Sequence, residues 1–196
     1  MPDIAETAAA DRPSHSGVGG DVRAVRRARG LTLTELSGRI GRSVGWLSQI
    51  ERGISEPTIG DLRRIAAALE QPLSLFFGEN QGPERERGHI VRQGARRVLG
   101  SAAQGLTEQL LSPDLSGSFE IVRSVFDPGA ELAEPARRPT EEAGYLISGR
   151  LDLWIGGEVF ELHPGDSFRL REEPFRWRNP GREPAVAIWV IAPPVY

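Results

Sequence analysis

The sequence predicts two unlike folding units in one chain, a small all-helical head followed by an all-β barrel. Three observations predict it. In the first third, apolar residues recur at helical spacing between cap residues and glycines. Beyond residue 88, short β-prone runs alternate with Gly/Pro turns. The charge divides at the same place: Val22 to Arg64 holds nine arginines against four acids, a net of +5, and the remainder sums to −8 within a 196-residue chain of net charge −3. A basic unit joined to an acidic one fits a nucleic-acid-binding module with a separate second domain.

Composition narrows the class. A hydrophobic content of 39% and a charged content of 26% are those of an ordinary soluble protein, so a packed core is expected. There is no cysteine, which excludes disulfides and thiolate chemistry. His15, His89 and His163 lie far apart in sequence, which argues against a His-rich metal site. Residues 1–16 are acidic and polar, without a basic start or an apolar run. They read as a disordered arm rather than a signal peptide or a membrane span, and a cytoplasmic location is expected by default. All 24 basic residues are arginine, which we attribute to genome composition.

The head is expected over residues 17–78. Val18, Val22 and Val25 fall at i, i+4 and i+7, one face of a helix that ends at Gly30. Thr32 caps a second helix, with Glu35 three residues on completing a capping box, and the helix stops at Gly41. Ser43 caps a third, with Leu47 and Ile50 turned inward, ending at Gly53. Pro57-Thr58 opens a fourth, with Asp61 in the capping position and Leu62, Ile65, Ala66 and Leu69 as its apolar stripe. A short fifth runs from Pro72 to Phe77. The Gly-, Glu- and Arg-rich residues 79–88 read as a linker.

The β unit is expected over 89–196. Its candidate strands are HIVRQ, RRVLG, LTEQLL, FEIVRSVF, GYLISG, LDLWIGG, EVFEL, SFRL, FRWRN and AVAIWVIA. Asp127-Pro128-Gly129, Gly156-Gly157, Pro164-Gly165-Asp166 and Asn179-Pro180-Gly181 separate them, so a barrel or sandwich follows.

Residues 31–53, LTLTELSGRIGRSVGWLSQIERG, have the helix–turn–helix pattern. A second helix placed this way projects its N-terminal residues into a major groove, while the first braces it across the backbone. Leu36, Ile40, Leu47 and Ile50 hold the pair together and leave Val44, Gly45, Trp46, Ser48 and Gln49 outward. LSQIERG at 47–53, then Pro57-Thr58 and LRRIAAAL at 62–69, resemble the Cro/CI-type (XRE) family at matching spacing, and the head is therefore expected to have the lambda-repressor-like five-helix fold. The resemblance implies that Ser43 caps the recognition helix and bonds a phosphate, and that Val44, Gly45 and Gln49 read bases. Gln49 is the sharpest of these, because an amide bonds adenine bidentately. Trp46 either lies against a thymine methyl or sugar, or tucks back onto the bundle. Arg42 and Arg52 suit phosphates, and Thr32 is placed at the same surface. Arg23, Arg26, Arg27 and Arg29 are expected to form a solvated face, and Glu51 to pair within the domain.

From 119 to 194 the turn residues, with Glu141-Glu142, Leu162-His163-Pro164-Gly165-Asp166 and Phe175-Arg176-Trp177, resemble a cupin, a double-stranded β-helix of jelly-roll type. Metal cupins carry His-x-His, Glu and a further His. The matching positions here are Ala136, Arg138, Glu142 and Phe175, so three of the four ligands are missing. No metal, no cofactor and no enzymatic chemistry are expected, and His163 reads as a loop residue. Arg138, Glu142, Phe175 and Trp177 remain as either an effector site for an amino acid or organic acid, or a simple ion pair in an apolar setting. Trp154 and Trp189 are expected in core or interface. The whole reads as a homodimeric regulator on a pseudo-palindromic operator. The alternatives are a metal-dependent cupin enzyme with an accessory DNA-binding head, and a barrel that only dimerises.

Overall fold

The computed structural model describes residues 17–77, 83–86, 88–99 and 103–195. The arm expected at 1–16, and residues 79–82 and 87 of the expected linker, lie outside them. Four α-helices form the head: α1 (Val18–Ala28), α2 (Leu33–Ile40), α3 (Val44–Glu51) and α4 (Ile59–Ala68).

Local chemistry sets the helix ends. The Thr32 hydroxyl accepts from the Glu35 N–H, and the Glu35 carboxylate accepts from the Thr32 N–H, so two otherwise orphaned donors are paired at the start of α2. Thr58 and Asp61 repeat this at α4. α2 stops at Gly41, whose φ of 66° is the left-handed conformation that only glycine adopts without cost. The expected fifth helix is a 3-10 helix, Leu73–Phe77. Five residues behind Pro72 are too few to nucleate an α-helix, so the head has four α-helices and a 3-10 turn.

Val22, Val25, Leu36, Leu47, Ile50 and Ile65 are fully buried between these helices. α1 crosses α3 so closely that a Cβ on Gly19 would lie 1.9 Å from the Ile50 carbonyl oxygen. Arg26, expected on a solvated face, is instead buried. It donates 2.6 and 2.8 Å hydrogen bonds to the Glu51 carboxylate and another to the Leu31 carbonyl, which ties α1 to the end of α3. Glu51 thus pairs within the domain, as expected.

The β unit contains β1 (Val98–Leu99), β2 (Leu106–Leu110), β3 (Glu120–Phe126), β4 (Glu141–Ser148), β5 (Leu151–Ile155), β6 (Glu158–Leu162), β7 (Ser167–Arg171), β8 (Phe175–Arg178) and β9 (Ala185–Ala192). The HIVRQ segment is not a strand. It forms a turn and a 3-10 helix at Gln93–Ala95. Arg92 is drawn to Glu86 by hydrogen bonds of 2.5 and 3.0 Å, and Ile90 stays 44% exposed, so the segment has no apolar face to lay on a sheet.

Two antiparallel sheets face each other, one ordered β1-β2-β3-β9-β4-β7 and the other β6-β5-β8. Period-two alternation sends Val122, Ser124 and Phe126 of β3, and Ala187, Trp189 and Ile191 of β9, inward. The core of the barrel lies between the sheets, around Phe126, Leu146, Leu153, Trp177 and Trp189. The outer face of the large sheet carries an apolar patch bordered by Arg123, opposite Ile188, and Arg169, opposite Ala143. Ile121, Val190 and Ala143 form one cross-strand row, and Ile188 and Tyr145 lie opposite each other in the next.

Head and barrel are joined by a buried ion pair. Arg97, just before β1, donates to Asp21 of α1 at 2.8 Å, and each side chain is only 9% exposed. Burial pushes the Asp21 carboxyl above its ordinary range; the Arg97 charge and hydrogen bond oppose this, and Asp114 adds to the rise. The Leu73–Phe77 turn also lies against β1. Among the described residues, no helix is long and apolar enough to cross a membrane.

Candidate functional site

Two surfaces carry the chemistry. The first is the outer side of α3. The Ser43 hydroxyl accepts from the Trp46 N–H at 3.1 Å and starts the helix. Leu47, Ile50 and Glu51 then turn inward, so helical geometry leaves Val44, Gly45 and Gln49 in solvent, with Val44 40% exposed. Ser48 is half-buried, while Thr32, Ser43 and Arg52 are exposed beside them. The Arg52 guanidinium donates back to the Ser48 carbonyl at 3.2 Å, which holds it at the C-terminal end of the helix.

Trp46 is partly buried against the head's core, and the Arg42 guanidinium lies 5.0 Å from its ring centroid. Of the two positions weighed for it, Trp46 thus takes the one packed against the bundle. Arg42 also donates to Asp61 at 2.6 and 3.1 Å, yet its side chain keeps 39% of its exposure. The Thr58 hydroxyl and then Arg42 hold the Asp61 carboxyl down at about 2. One acid therefore caps α4 and orients an arginine at the start of α3.

The second surface lines a cavity of about 230 Å³ inside the barrel. Ala136, Arg138, Glu142 and Phe175 all line it, together with Trp177. The backbone brings them there: Ala136 bridges to Phe175, and Phe175 and Trp177 share the inward face of β8. Arg138 lies 5.7 Å from the Phe175 ring centroid and 3.7 Å from Glu142 Oε1.

These residues do not fit a cupin metal. Ala136 and Phe175 offer no donor atom, and the Arg138 cation stands where a ligand would be needed. Among the described residues no group of three His, Cys, Asp or Glu side chains is arranged to hold a metal ion. His163 is exposed in the loop after β6, its N–H donating to Asp166. Trp189 is buried and lines the cavity, whereas Trp154 lies outside under Arg176, 4.1 Å from its ring centroid.

Sequence reasoning missed two acids. Glu108 of β2 lines the cavity and accepts from the Ser124 hydroxyl at 3.1 Å. Glu120 of β3 is 2% exposed; its Oε1 accepts from the Val195 N–H, and its Oε2 has no partner among the described groups. Burial raises both carboxyls, that of Glu120 to about 7. A signal was available. Strand alternation places Glu120 in phase with Val122 and Phe126, and Glu108 in phase with Leu106 and Leu110, so each acid occupies an inward position.

Comparison with known proteins agrees with both halves. Residues 18–75 match the family profile described as a helix-turn-helix domain, and residues 122–191 the one described as a cupin domain. The HTH-type transcriptional regulator SutR of Escherichia coli is 28% identical over 165 residues, 83% of this chain and 86% of that protein. The HTH-type transcriptional regulator PuuR of Escherichia coli is 24% identical over 74% of this chain and 78% of its own. The transcriptional regulator ClgR of Mycobacterium tuberculosis is 33% identical over 102 residues, 50% of this chain and 89% of its own.

Proposed function

This chain belongs to the XRE-type helix-turn-helix transcriptional regulators, with a cupin domain behind its DNA-binding head, and we propose from that premise that it binds a pseudo-palindromic operator as a homodimer whose DNA affinity is set by a small effector in the barrel. The observation that carries the DNA reading is the split of α3. Its inner side is locked by Leu47, Ile50 and the Arg26–Glu51 pair, while Val44, Gly45 and Gln49 face solvent, with Gln49 Oε1 accepting a long 3.5 Å hydrogen bond from the Ser55 hydroxyl. A rigid helix with one free side loses little freedom on binding, which favours affinity. Val44 and Gly45 offer only apolar contact, so Gln49 carries most of the direct readout, worth about 1–3 kcal/mol of discrimination. Arg52 and the free part of Arg42 suit phosphates, with the Ser43 hydroxyl and Thr32 at the same edge.

Dimerisation is supported by the outer face of the large sheet, where Tyr145, Ile147 and Val190 are 49%, 48% and 39% exposed. Two heads held this way would place their recognition helices one DNA turn apart, about 34 Å.

A chain of contacts links cavity to head. Glu108 lies directly opposite Leu99 of β1; Arg97 is two residues earlier and bonds Asp21 of α1; α1 lies under α3 at Gly19 and Arg26. An occupant that shifts β2 therefore acts on the seat of the recognition helix. It changes DNA affinity only if it binds the two arrangements of that seat unequally. We read the barrel as non-catalytic, because the fold's metal positions hold no usable ligand set. Footprinting on the DNA upstream of the protein's own gene tests the reading: protection of two half-sites one turn apart is expected, and binding with no sequence preference would refute it.

A further inference from the structure

One acid of the head holds two arginines. Asp61 is the third residue of α4, and its side chain is 5% exposed. Its Oδ2 accepts from the Thr58 N–H and hydroxyl and completes the helix cap. Its Oδ1 accepts from Arg42 Nη2 at 2.6 Å and Nε at 3.1 Å, and from Arg64 Nη2 at 3.2 Å. The cap accounts for the first oxygen alone, and a neutral glutamine in this position caps a helix in the same way. The charge and the second oxygen serve the arginines.

Both arginines meet the acid alike. Each turns inward the edge that carries Nε and Nη2, with Arg64 Nε donating to the Gly60 carbonyl at 3.4 Å. A guanidinium is planar and rigid, so the opposite edge, which carries Nη1 and the second N–H of Nη2, points away from Asp61. That edge has two parallel donors, the arrangement that bonds two phosphate oxygens. The Arg42 and Arg64 side chains are 39% and 55% exposed. The Trp46 ring restrains Arg42 further, its centroid 5.0 Å from the guanidinium carbon. Arg42 directly precedes Ser43, the cap of α3, which places it at the end of the helix that enters a groove. An acid near DNA by itself repels the phosphates. Here it is outnumbered by the cations it orders, and an arginine ordered beforehand avoids the cost of being ordered on binding.

We propose that Asp61 is a positioning residue for the DNA backbone: it touches no phosphate, and aims Arg42 and Arg64 at the phosphates beside α3. The proposal rests on the DNA-binding reading above, and the test keeps the two apart. Fluorescence anisotropy measures the affinity of the full chain for a duplex from its own upstream region and for an unrelated duplex of equal length. Asp61→Gln keeps the capping box and removes the charge. It is expected to weaken binding to both duplexes by roughly two- to tenfold, the ordering cost of an arginine side chain, although it removes a negative charge. In an Arg42→Ala/Arg64→Ala background the same substitution has nothing left to aim, and the loss should vanish or turn into a gain. Thermal midpoints check folding; if Asp61→Gln does not fold, Asp61→Asn takes its place in both backgrounds. Tighter binding by Asp61→Gln in the otherwise wild-type chain would show that Asp61 only repels DNA and overturn the proposal. An equal loss in both backgrounds would overturn it too, because Asp61 would then act through α4 and not through the arginines. A wild type that prefers neither duplex, with the Asp61 effect intact, would sink the operator reading and uphold the positioning role. A wild type that binds neither duplex would overturn both.

Discussion

Replacing Glu120 with glutamine should make the chain's stability less sensitive to alkali. Glu120 is 2% exposed and its carboxyl is raised from 4.5 to about 7, first by burial, with Glu108 and Glu142 adding to the rise and the Val195 N–H and Arg138 opposing it. A carboxyl raised on folding stabilises the fold in its neutral form. That contribution is complete below pH 4.5 and is lost as the pH climbs through about 7. The interval corresponds to at most about 3.5 kcal/mol, at about 1.4 kcal/mol per pH unit. Side-chain relaxation and water penetration reduce the usable figure to about 1–2 kcal/mol. Glutamine keeps an oxygen for the Val195 N–H but places an amide where Oε2 has no partner. The cost of that amide is the same at every pH, so the pH dependence of the difference is diagnostic. Urea unfolding of both proteins at pH 5 and pH 8.5, followed by tryptophan emission, measures it, with three of the four tryptophans in the barrel. Wild type should lose about 1–2 kcal/mol relative to the variant between the two pH values. A difference that stays constant would show that Glu120 is already ionised at pH 5 and that burial does not hold its carboxyl neutral.

Further outcomes follow from the same contacts. Gln49→Ala should lower specific binding by roughly tenfold or more and leave non-specific binding unchanged, whereas Arg52→Ala should weaken both and reduce the salt slope by about one, as read by fluorescence anisotropy across a salt series. Asp21→Ala removes both acceptor oxygens, leaves Arg97 buried without its partner, and should cost roughly 3 kcal/mol of stability in denaturant titration. If that variant still folds, effector addition should no longer alter operator affinity; unchanged coupling would remove the pair from the proposed route. Val190→Asp together with Tyr145→Asp places charge on the apolar outer sheet face and should give a monomer by light scattering, while a dimer that persists would place the interface elsewhere.

Most of the head was legible in the sequence because its determinants are local. A cap, its partner three residues on and a stop glycine lie within one turn of each other, so Thr32–Glu35, Thr58–Asp61 and Gly41 mark their helices without reference to the rest of the chain. The barrel's turns and most of its strands are equally local, as is the loss of ligands at Ala136, Arg138 and Phe175. The segment at 89–93 misled because β-propensity requires a neighbouring strand, and this segment has none.

Tertiary structure alone decided which charges are buried. Arg26 looked like its solvated neighbours until Glu51, 25 residues away, was brought beneath it. Asp21 and Arg97 are 76 residues apart and meet only because head and barrel dock. Glu108, Glu120 and Glu142 come from three strands whose side-by-side order the sequence does not state, yet that order puts Glu108 and Glu142 on the cavity wall and Glu120 opposite Ile191 beside them. Periodicity fixes the side of a helix or strand on which a residue lies; what faces that side is set by elements distant in sequence, and it determines whether a charge is solvated, paired or left to bind something else.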